Sequence, residues 1–311
     1  MPTIDLAAPA PTRLPGPLAL LDGLPRRVTL TLPELRHVAS LAGGAPLPFD
    51  DAEAPGDAHP LEDRLGASPA TAEDEAYAAA LASLRDAEDS LDRRGLLTGA
   101  GADAGLVGAV GLLATPTTAL DLDVTAAGLR ARSWHRRAGD AVAALSTVDG
   151  LVFELAWFPV ERWADELGRA AVLPADFPVA GSGVPAVLDL PFELADAAAE
   201  ASRHGRADLI PVLVAQAEAP VVDGDGDPLP DPQAALAALT GEARGRLRAL
   251  VADVSATQTS VVGVVSWTLL ADGWHALRPR RVDHTQRVAV VAVDPADLAP
   301  ELAPVLAVVG T

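Results

Sequence analysis

The chain contains no cysteine, so the sequence excludes a disulfide framework, a thiol nucleophile and a thiolate metal site. Aromatic residues make up only 4% of the chain, although 50% of its residues are hydrophobic. Alanine, valine and leucine must therefore build most of the core, and helices with such small side chains can approach one another closely. A chain of 311 residues can bury a sizeable core, either as two domains or as one unit with two lobes.

Signatures of catalysis and of metal binding are also missing. The sequence contains no HExxH, GxSxG or P-loop motif, and none of its six histidines pairs with another at metal-ligand spacing. Acidic pairs such as Glu73/Glu75 are too numerous to single out two catalytic carboxylates. The sequence therefore predicts neither an enzyme nor a bound metal or cofactor.

Two glycine-rich segments match ligand-binding loops only in part. Residues 99–111 lack the preceding strand and the final glycine of a dinucleotide-binding loop, so a closely packed helix is the better interpretation. Residues 223–227 offer three carboxylates, but their glycines occupy the wrong steps for an EF-hand and no glutamate follows. This second segment is predicted to be a solvated turn.

Long hydrophobic runs are absent, and basic residues are few. The longest apolar run, Val261 to Leu270, is about half of what a membrane helix requires. Asp5, Asp22 and several prolines interrupt any signal peptide, so a soluble cytoplasmic protein is expected. The net charge of −20 argues against nucleic acid or an anionic membrane as a partner, and it also serves simply to keep an alanine-rich chain in solution.

A rough internal repeat is the main positive feature. Strand-like runs between Leu129 and Leu167 lead into a helix opened by Pro159, and a similar layout near the C-terminus leads to Pro295. Upstream of the two copies, the similar segments LTLPEL and LDLPFEL begin at Leu30 and Leu188. The repeat predicts a duplicated lobe in which each half runs strand, helices, antiparallel hairpins and closing helix.

This layout predicts a proline-rich N-terminal arm (1–27), an N-terminal lobe (28–177) and a C-terminal lobe (178–311). Strands are expected over 120–158 and 257–293. One amphipathic helix is expected from Ala72 to Arg94, a long loop over 45–70, and helical segments after the loop 221–231 up to Val254.

Arginine and tryptophan are concentrated in the two sets of hairpins. Eight of the 23 basic residues fall there, in a chain that is otherwise acidic. They could be solvent faces of strands, where arginine also blunts sheet edges. They could instead form a docking face, because Arg and Trp are enriched where partners are anchored. The candidate partner-binding residues are Arg130, Arg132, Trp134, Arg136, Trp267, Trp274, Arg278 and Arg280. Period-2 alternation predicts that Arg130, Arg132, Trp134 and Arg136 share one strand face, opposite smaller residues that lie under helices.

The order of these segments resembles the EspG chaperones of mycobacterial and actinobacterial type VII (ESX) secretion over residues 28–309. The resemblance is carried by the segments VTLTLPEL, LDRRGLL, LLATPTTALDL, VDGLVFELAWFPVERWADEL, SWTLLADGW and VAVDPADLAPEL. It implies an α/β fold of the α+β type, with two pseudo-symmetric lobes and a central, mainly antiparallel sheet flanked by helical bundles. The arm 1–27 and the loop 45–70 are additions to the usual pattern.

The resemblance also implies a function. Members of the family bind the helical tip of a PPE protein in its PE–PPE pair and keep the pair soluble in the cytosol for export. A PE–PPE-like or WXG-type helical protein is therefore the expected partner. The alternatives are an enzyme whose site is assembled from scattered residues, and an interaction scaffold with no role in secretion.

Overall fold

The computed structural model describes residues 25–50, 72–98 and 101–309. Ten strands form one large antiparallel sheet, and β2 (Leu97–Thr98) pairs with β3 (Gly101–Ala102) in a short ribbon. The strands of the large sheet are β1 (Arg26–Thr31), β4 (Thr118–Ala126), β5 (Leu129–Ala138), β6 (Ala141–Thr147), β7 (Val152–Pro159), β8 (Val187–Pro191), β9 (Gly245–Asp253), β10 (Ser260–Leu270), β11 (Gly273–Val282) and β12 (Thr285–Val293). The mainly antiparallel sheet predicted from the sequence is confirmed.

The strand order is β1-β7-β6-β5-β4-β9-β10-β11-β12-β8. The two halves of the sheet follow the same plan. In each half the first strand (β1 or β8) pairs with the last strand (β7 or β12), and the remaining strands follow as hairpins. The two edge strands, β1 and β8, each lead directly into a helix. The repeat seen in the sequence is thus present in the topology of the sheet.

Nine helices are present in the described part of the chain: α1 (Leu32–Leu41), α2 (Ala72–Ser83), α3 (Ala87–Arg93), α4 (Ala104–Ala114), α5 (Trp163–Ala170), α6 (Phe192–Arg203), α7 (Ile210–Gln216), α8 (Pro232–Gly241) and α9 (Leu298–Leu306). Short 3-10 turns precede α5, α7 and α9. None of these helices has the length and apolarity to cross a membrane.

Two of the predicted elements were wrong. The helix expected from Ala72 to Arg94 is interrupted, because Asp86 accepts a hydrogen bond from the Asp89 N–H and so starts a new helix. The stretch expected to be helical up to Val254 contains the strand β9. Its segment RLRALV alternates buried residues with more exposed ones at period 2, which suits a strand rather than a helix.

By its internal contacts the described part of the chain divides into two compact units. The first contains the described residues up to 119 together with 134–162, and the second contains 120–133 together with the described residues from 163 onwards. In the first unit, α1 begins with a capping box between Thr31 and Glu34. Glu34 is buried, and Arg94 pairs with it at 3.0 Å. Burial alone would raise the pKa of Glu34, but hydrogen bonds from Thr31, Ser90 and Arg94 lower it overall.

The second unit places α6, α7 and α8 around one core. Leu188 and Leu190 of β8 pack there with Val288 and Val290 of β12. Leu236 of α8 and the buried residues of α6 complete the core. This packing fixes α6 and α8 on the sheet, and these helices form the walls of the candidate site.

Candidate partner-binding groove

The register of β10, β11 and β12 assigns the side chains of the second unit to two faces of the sheet. Ser266 pairs with Leu277, and Leu277 pairs with Val290, so these residues share one face. Trp267 pairs with Ala276 on the other face. The first face carries α6 and α8, and the second face carries α9.

An open apolar groove of about 740 Å³ lies on the first face, between α6, α8 and the strands. Ala195, Ala199 and Ser202 of α6 form one wall, because they recur at the spacing of a single helix face. Leu239 and Thr240 of α8 also line it. The strands contribute Val264, Ser266, Thr268, Leu277, Pro279, Val288 and Val290. Small side chains on α6 leave room above the sheet, so the groove is a consequence of the alanine-rich sequence of that helix.

Phe192, the first residue of α6, marks the end of the groove. Its side chain is 47% exposed, which is unusual for one of only five phenylalanines in the chain. Phe192 also borders a second cavity of about 680 Å³, which Arg281 and His284 of the β11–β12 hairpin line as well. An exposed aromatic ring between two cavities is a suitable anchor for a partner.

The groove carries almost no charge. Among the described residues, Arg203 is the one charged side chain that lines the groove, and it pairs with Glu200 one turn earlier on α6. The Thr240 hydroxyl donates to the Leu236 carbonyl at 3.0 Å, so its hydrogen bond is satisfied within its own helix. The groove is therefore suited to burying apolar side chains rather than to binding a charged group.

The predicted partner-binding residues of the C-terminal hairpins lie on the second face of the sheet, where other residues of the same chain already contact them. Trp267 is buried, and its indole N–H donates to Glu301 of α9 at 3.3 Å. Arg278 is exposed and donates to the same carboxylate at 2.7 Å. Trp274 is buried and donates to the Ala171 carbonyl at 2.8 Å.

Arg280 belongs to a buried ionic cluster. Both Arg280 and Arg287 pair with Asp189, whose side chain is only 1% exposed. Arg287 also donates to the Pro220 carbonyl at 3.0 Å, and the backbones of Asp189 and Val222 exchange hydrogen bonds. The cluster holds the loop after α7 against the edge strand β8.

The predicted partner-binding residues of the N-terminal hairpins all lie on β5, but two are exposed and two are buried. Arg130 and Arg132 are exposed, and Arg130 donates to Asp123 at 3.1 Å. Trp134 and Arg136 are buried, and Trp134 packs against Phe49 with ring centroids 5.7 Å apart. The burial pattern of β5 thus changes along its length instead of alternating, which differs from the predicted single exposed face. A role of these residues in binding remains a prediction.

His135, between Trp134 and Arg136, is 2% exposed. Burial lowers its pKa to about 3, and repulsion by Arg136 adds to the effect. It is therefore neutral at physiological pH.

The segment 223–227 is a turn held by its own side chain. The Asp223 carboxylate accepts the backbone N–H groups of Asp225 and Asp227, each at 3.0 Å. Among the described residues, no group of three or more His, Asp or Glu side chains could hold a metal ion. In the other glycine-rich segment, Asp103 caps α4, and Gly105 lies close to Trp157 within the first unit.

Comparison with known proteins gives similarity at the level of structure but not at the level of sequence. No protein-family model matches the chain, and no curated protein matches it in sequence. The fold is similar to that of the Mycobacterium tuberculosis type VII secretion system chaperone EspG5, solved in complex with a PE25–PPE41 dimer. The TM-score is 0.60 at 11% sequence identity, and the match covers 91% of this chain and 97% of the other. The similarity shows a shared fold.

Proposed function

We propose that the chain is a cytoplasmic chaperone of type VII (ESX) secretion that binds the helical tip of a PE–PPE-like protein pair and keeps the pair soluble for export. The observation that carries this proposal is the open apolar groove on a fold shared with a chaperone of that system. The function needs binding and release but no catalytic step.

The shape and chemistry of the groove fit an amphipathic helix end. Such a helix places apolar side chains at positions i, i+3, i+4 and i+7 into a hydrophobic groove. Val264, Leu277 and Phe192 offer apolar contact, and each large side chain that the partner buries contributes about 1.5–3 kcal/mol. Covering an exposed apolar tip of this kind would remove the surface through which a free partner aggregates.

Coexpression tests the proposal. The full chain would be produced with candidate PE–PPE-like pairs and, separately, with WXG-type proteins, and the soluble fraction would be analysed by size exclusion. We expect a PE–PPE-like pair to be insoluble alone and to elute with the chain as one stable complex. Solubility of every pair without the chain, or complexes with none of them, would contradict the proposal.

A variant with a disrupted groove distinguishes specific binding from general solubilisation. Ala199→Arg places a long charged side chain on the wall of the groove, whereas Ala215→Arg introduces the same side chain at an exposed position of α7 outside it. Only Ala199→Arg is expected to abolish coelution. Equal behaviour of the two variants would mean that the groove is not the contact surface.

A further inference from the structure

Two exposed arginines of β9 lie beside the groove. Arg248 pairs with the groove-lining Ser266, and Arg246 pairs with the groove-lining Thr268, so both arginines share the first face of the sheet with the groove. In the part of the chain that the structure describes, neither arginine forms an ion pair. Because they are two positions apart on one strand, their Cα atoms are separated by about 7 Å. A partner that extends from the groove over β9 therefore meets two positive charges side by side.

The apolar floor of the groove continues as far as these arginines. Leu250 is the next residue of β9 on the same face, and it pairs with the groove-lining Val264. Its side chain is half-buried. One helix that lies in the groove can thus bury its apolar side chains against the floor and reach the arginines of β9 with the side chains on its adjoining flank.

The positive charge on β9 is retained in a chain that is rich in carboxylates. Acidic residues number 43 and basic residues 23, and several arginines are compensated by the chain's own carboxylates. Arg278 pairs with Glu301, and Arg203 on the wall of the groove pairs with Glu200. The two arginines of β9 have no such compensation among the described residues, so their charge is available to a partner.

The other surroundings of the groove differ from β9 in charge. On α6 the exposed Asp196 follows the groove-lining Ala195, so that side of the groove is negative. The second cavity is lined by charges of both signs, from Arg281, Glu193 and Glu218. Since the two sides of the groove are opposite in sign, a helix with carboxylates along one flank is favoured only when that flank lies over β9.

From the arginine pair we infer that the groove selects a helix whose apolar stripe is bordered on one flank by two carboxylates about one turn apart. The Cβ atoms of helix residues i and i+4 are about 5–6 Å apart, which is close to the spacing of the two arginines, so each guanidinium can meet one carboxylate. The net charge of −20 slows the approach of an acidic partner, so the preference should appear in the dissociation rate. The inference rests on the proposed function, since it specifies the partner of the same groove.

Two designed helical hairpins test this inference directly. They share a leucine-rich apolar stripe and differ only at two positions one turn apart on one flank, which are glutamate in one hairpin and lysine in the other. Binding of each labelled hairpin to the full chain would be measured by fluorescence anisotropy at about 0.1 M salt. The glutamate hairpin is expected to bind at least about tenfold more tightly. Equal binding of both hairpins, tighter binding of the lysine hairpin, or binding of neither would overturn the inference.

Charge reversal on β9 tests whether the two arginines cause the preference. The variant Arg246→Glu/Arg248→Glu should bind the lysine hairpin more tightly than the glutamate hairpin. The matched control, Arg36→Glu/Arg85→Glu, replaces two exposed arginines of the first unit, changes the net charge by the same amount and should keep the wild-type preference.

Thermal unfolding checks that the β9 variant retains the fold. If its transition differs from that of the wild type, Arg246→Gln/Arg248→Gln takes its place and should lose most of the preference for the glutamate hairpin. An unchanged preference in a folded β9 variant would overturn the inference, and so would loss of the preference in the control.

These outcomes are separable from those of the coexpression test. A PE–PPE-like pair that coelutes with the chain, combined with hairpins that bind equally, retains the proposed function and removes the charge preference. A preference for the glutamate hairpin without any coeluting pair removes the proposed natural partner and retains the surface chemistry.

Discussion

The indole N–H of Trp267 donates a hydrogen bond to Glu301, and this contact ties β10 to α9 across the second face of the sheet. The same carboxylate pairs with Arg278 of β11. One buried donor and one exposed cation thus share a single acceptor, and the two contacts should differ in their effect on stability.

Glu301→Ala should lower the free energy of unfolding by about 2 kcal/mol, because it leaves the buried Trp267 N–H without its acceptor. Arg278→Ala should cost about 1 kcal/mol or less, since its side chain is exposed and screened by solvent. Urea denaturation of both variants measures the difference. Equal losses would show that the indole hydrogen bond contributes little.

Asp189→Asn should be among the more destabilising polar substitutions in the second unit. It removes the negative charge between Arg280 and Arg287, and Arg287 is buried, so the loss should be about 3 kcal/mol. Arg280→Ala is the comparison, with an expected loss of about 1 kcal/mol, because that side chain is half-exposed. Urea midpoints that rank the two variants in the reverse order would contradict this account of the cluster.

His135 makes the stability of the chain depend on pH. Its pKa is about 3 in the folded protein and 6.5 when unperturbed, so between these values the unfolded chain binds more protons. Stability is therefore lost as the pH falls below 6.5, by about 2 kcal/mol at about pH 5. His135→Gln should remove this part of the decline when unfolding free energies at about pH 7.5 and pH 5 are compared. A decline of unchanged size would assign the pH dependence to other groups.

Phe192→Ser should weaken the proposed complex with a helical partner by at least tenfold, or about 1.4 kcal/mol, without unfolding the chain. The ring is half-exposed in the free chain and would become buried in the complex. Val212→Ser, at an exposed valine of α7, is the control and should bind as the wild type does. Calorimetric titration of both variants provides the measurement.

Arg132→Ala tests the docking face predicted from the sequence. If the groove provides most of the binding energy, the affinity should change by less than about twofold. A larger loss of affinity, with the fold intact by circular dichroism, would place the binding surface on the arginine-rich hairpins. Trp134→Ala is less informative, because Trp134 lies in the core and its removal should cost about 3–5 kcal/mol.

Much of the fold could be predicted from the sequence because its signals are local. Thr31 and Glu34 mark the start of α1 within four residues, and the hairpins are separated by short polar breaks. β9 was missed because the period-2 pattern of RLRALV follows closely on a helical stretch. The break before α3 depends on one hydrogen bond that Asp86 accepts. The residues around Asp86 do not distinguish the start of a helix from a position inside one.

The surroundings of the predicted arginines and the position of the groove were harder to predict, because the contacts that determine them are not local. Arg287 meets Asp189 across 98 residues of sequence, and Arg278 meets Glu301 across 23, so no spacing rule pairs them. Phe192 follows a proline in LPFEL, where a large apolar residue would ordinarily pack into the core. The small residues at 195, 199 and 202 were a usable signal, since they leave one face of α6 without bulk.

The burial of the tryptophans determines which events intrinsic fluorescence can report. All five (Trp134, Trp157, Trp163, Trp267 and Trp274) are buried, and none lines the groove. Docking of a tryptophan-free partner should leave the emission spectrum nearly constant, whereas unfolding should shift it to longer wavelength as the indoles meet water. One optical signal therefore follows folding alone, and a dye placed on the partner follows binding alone.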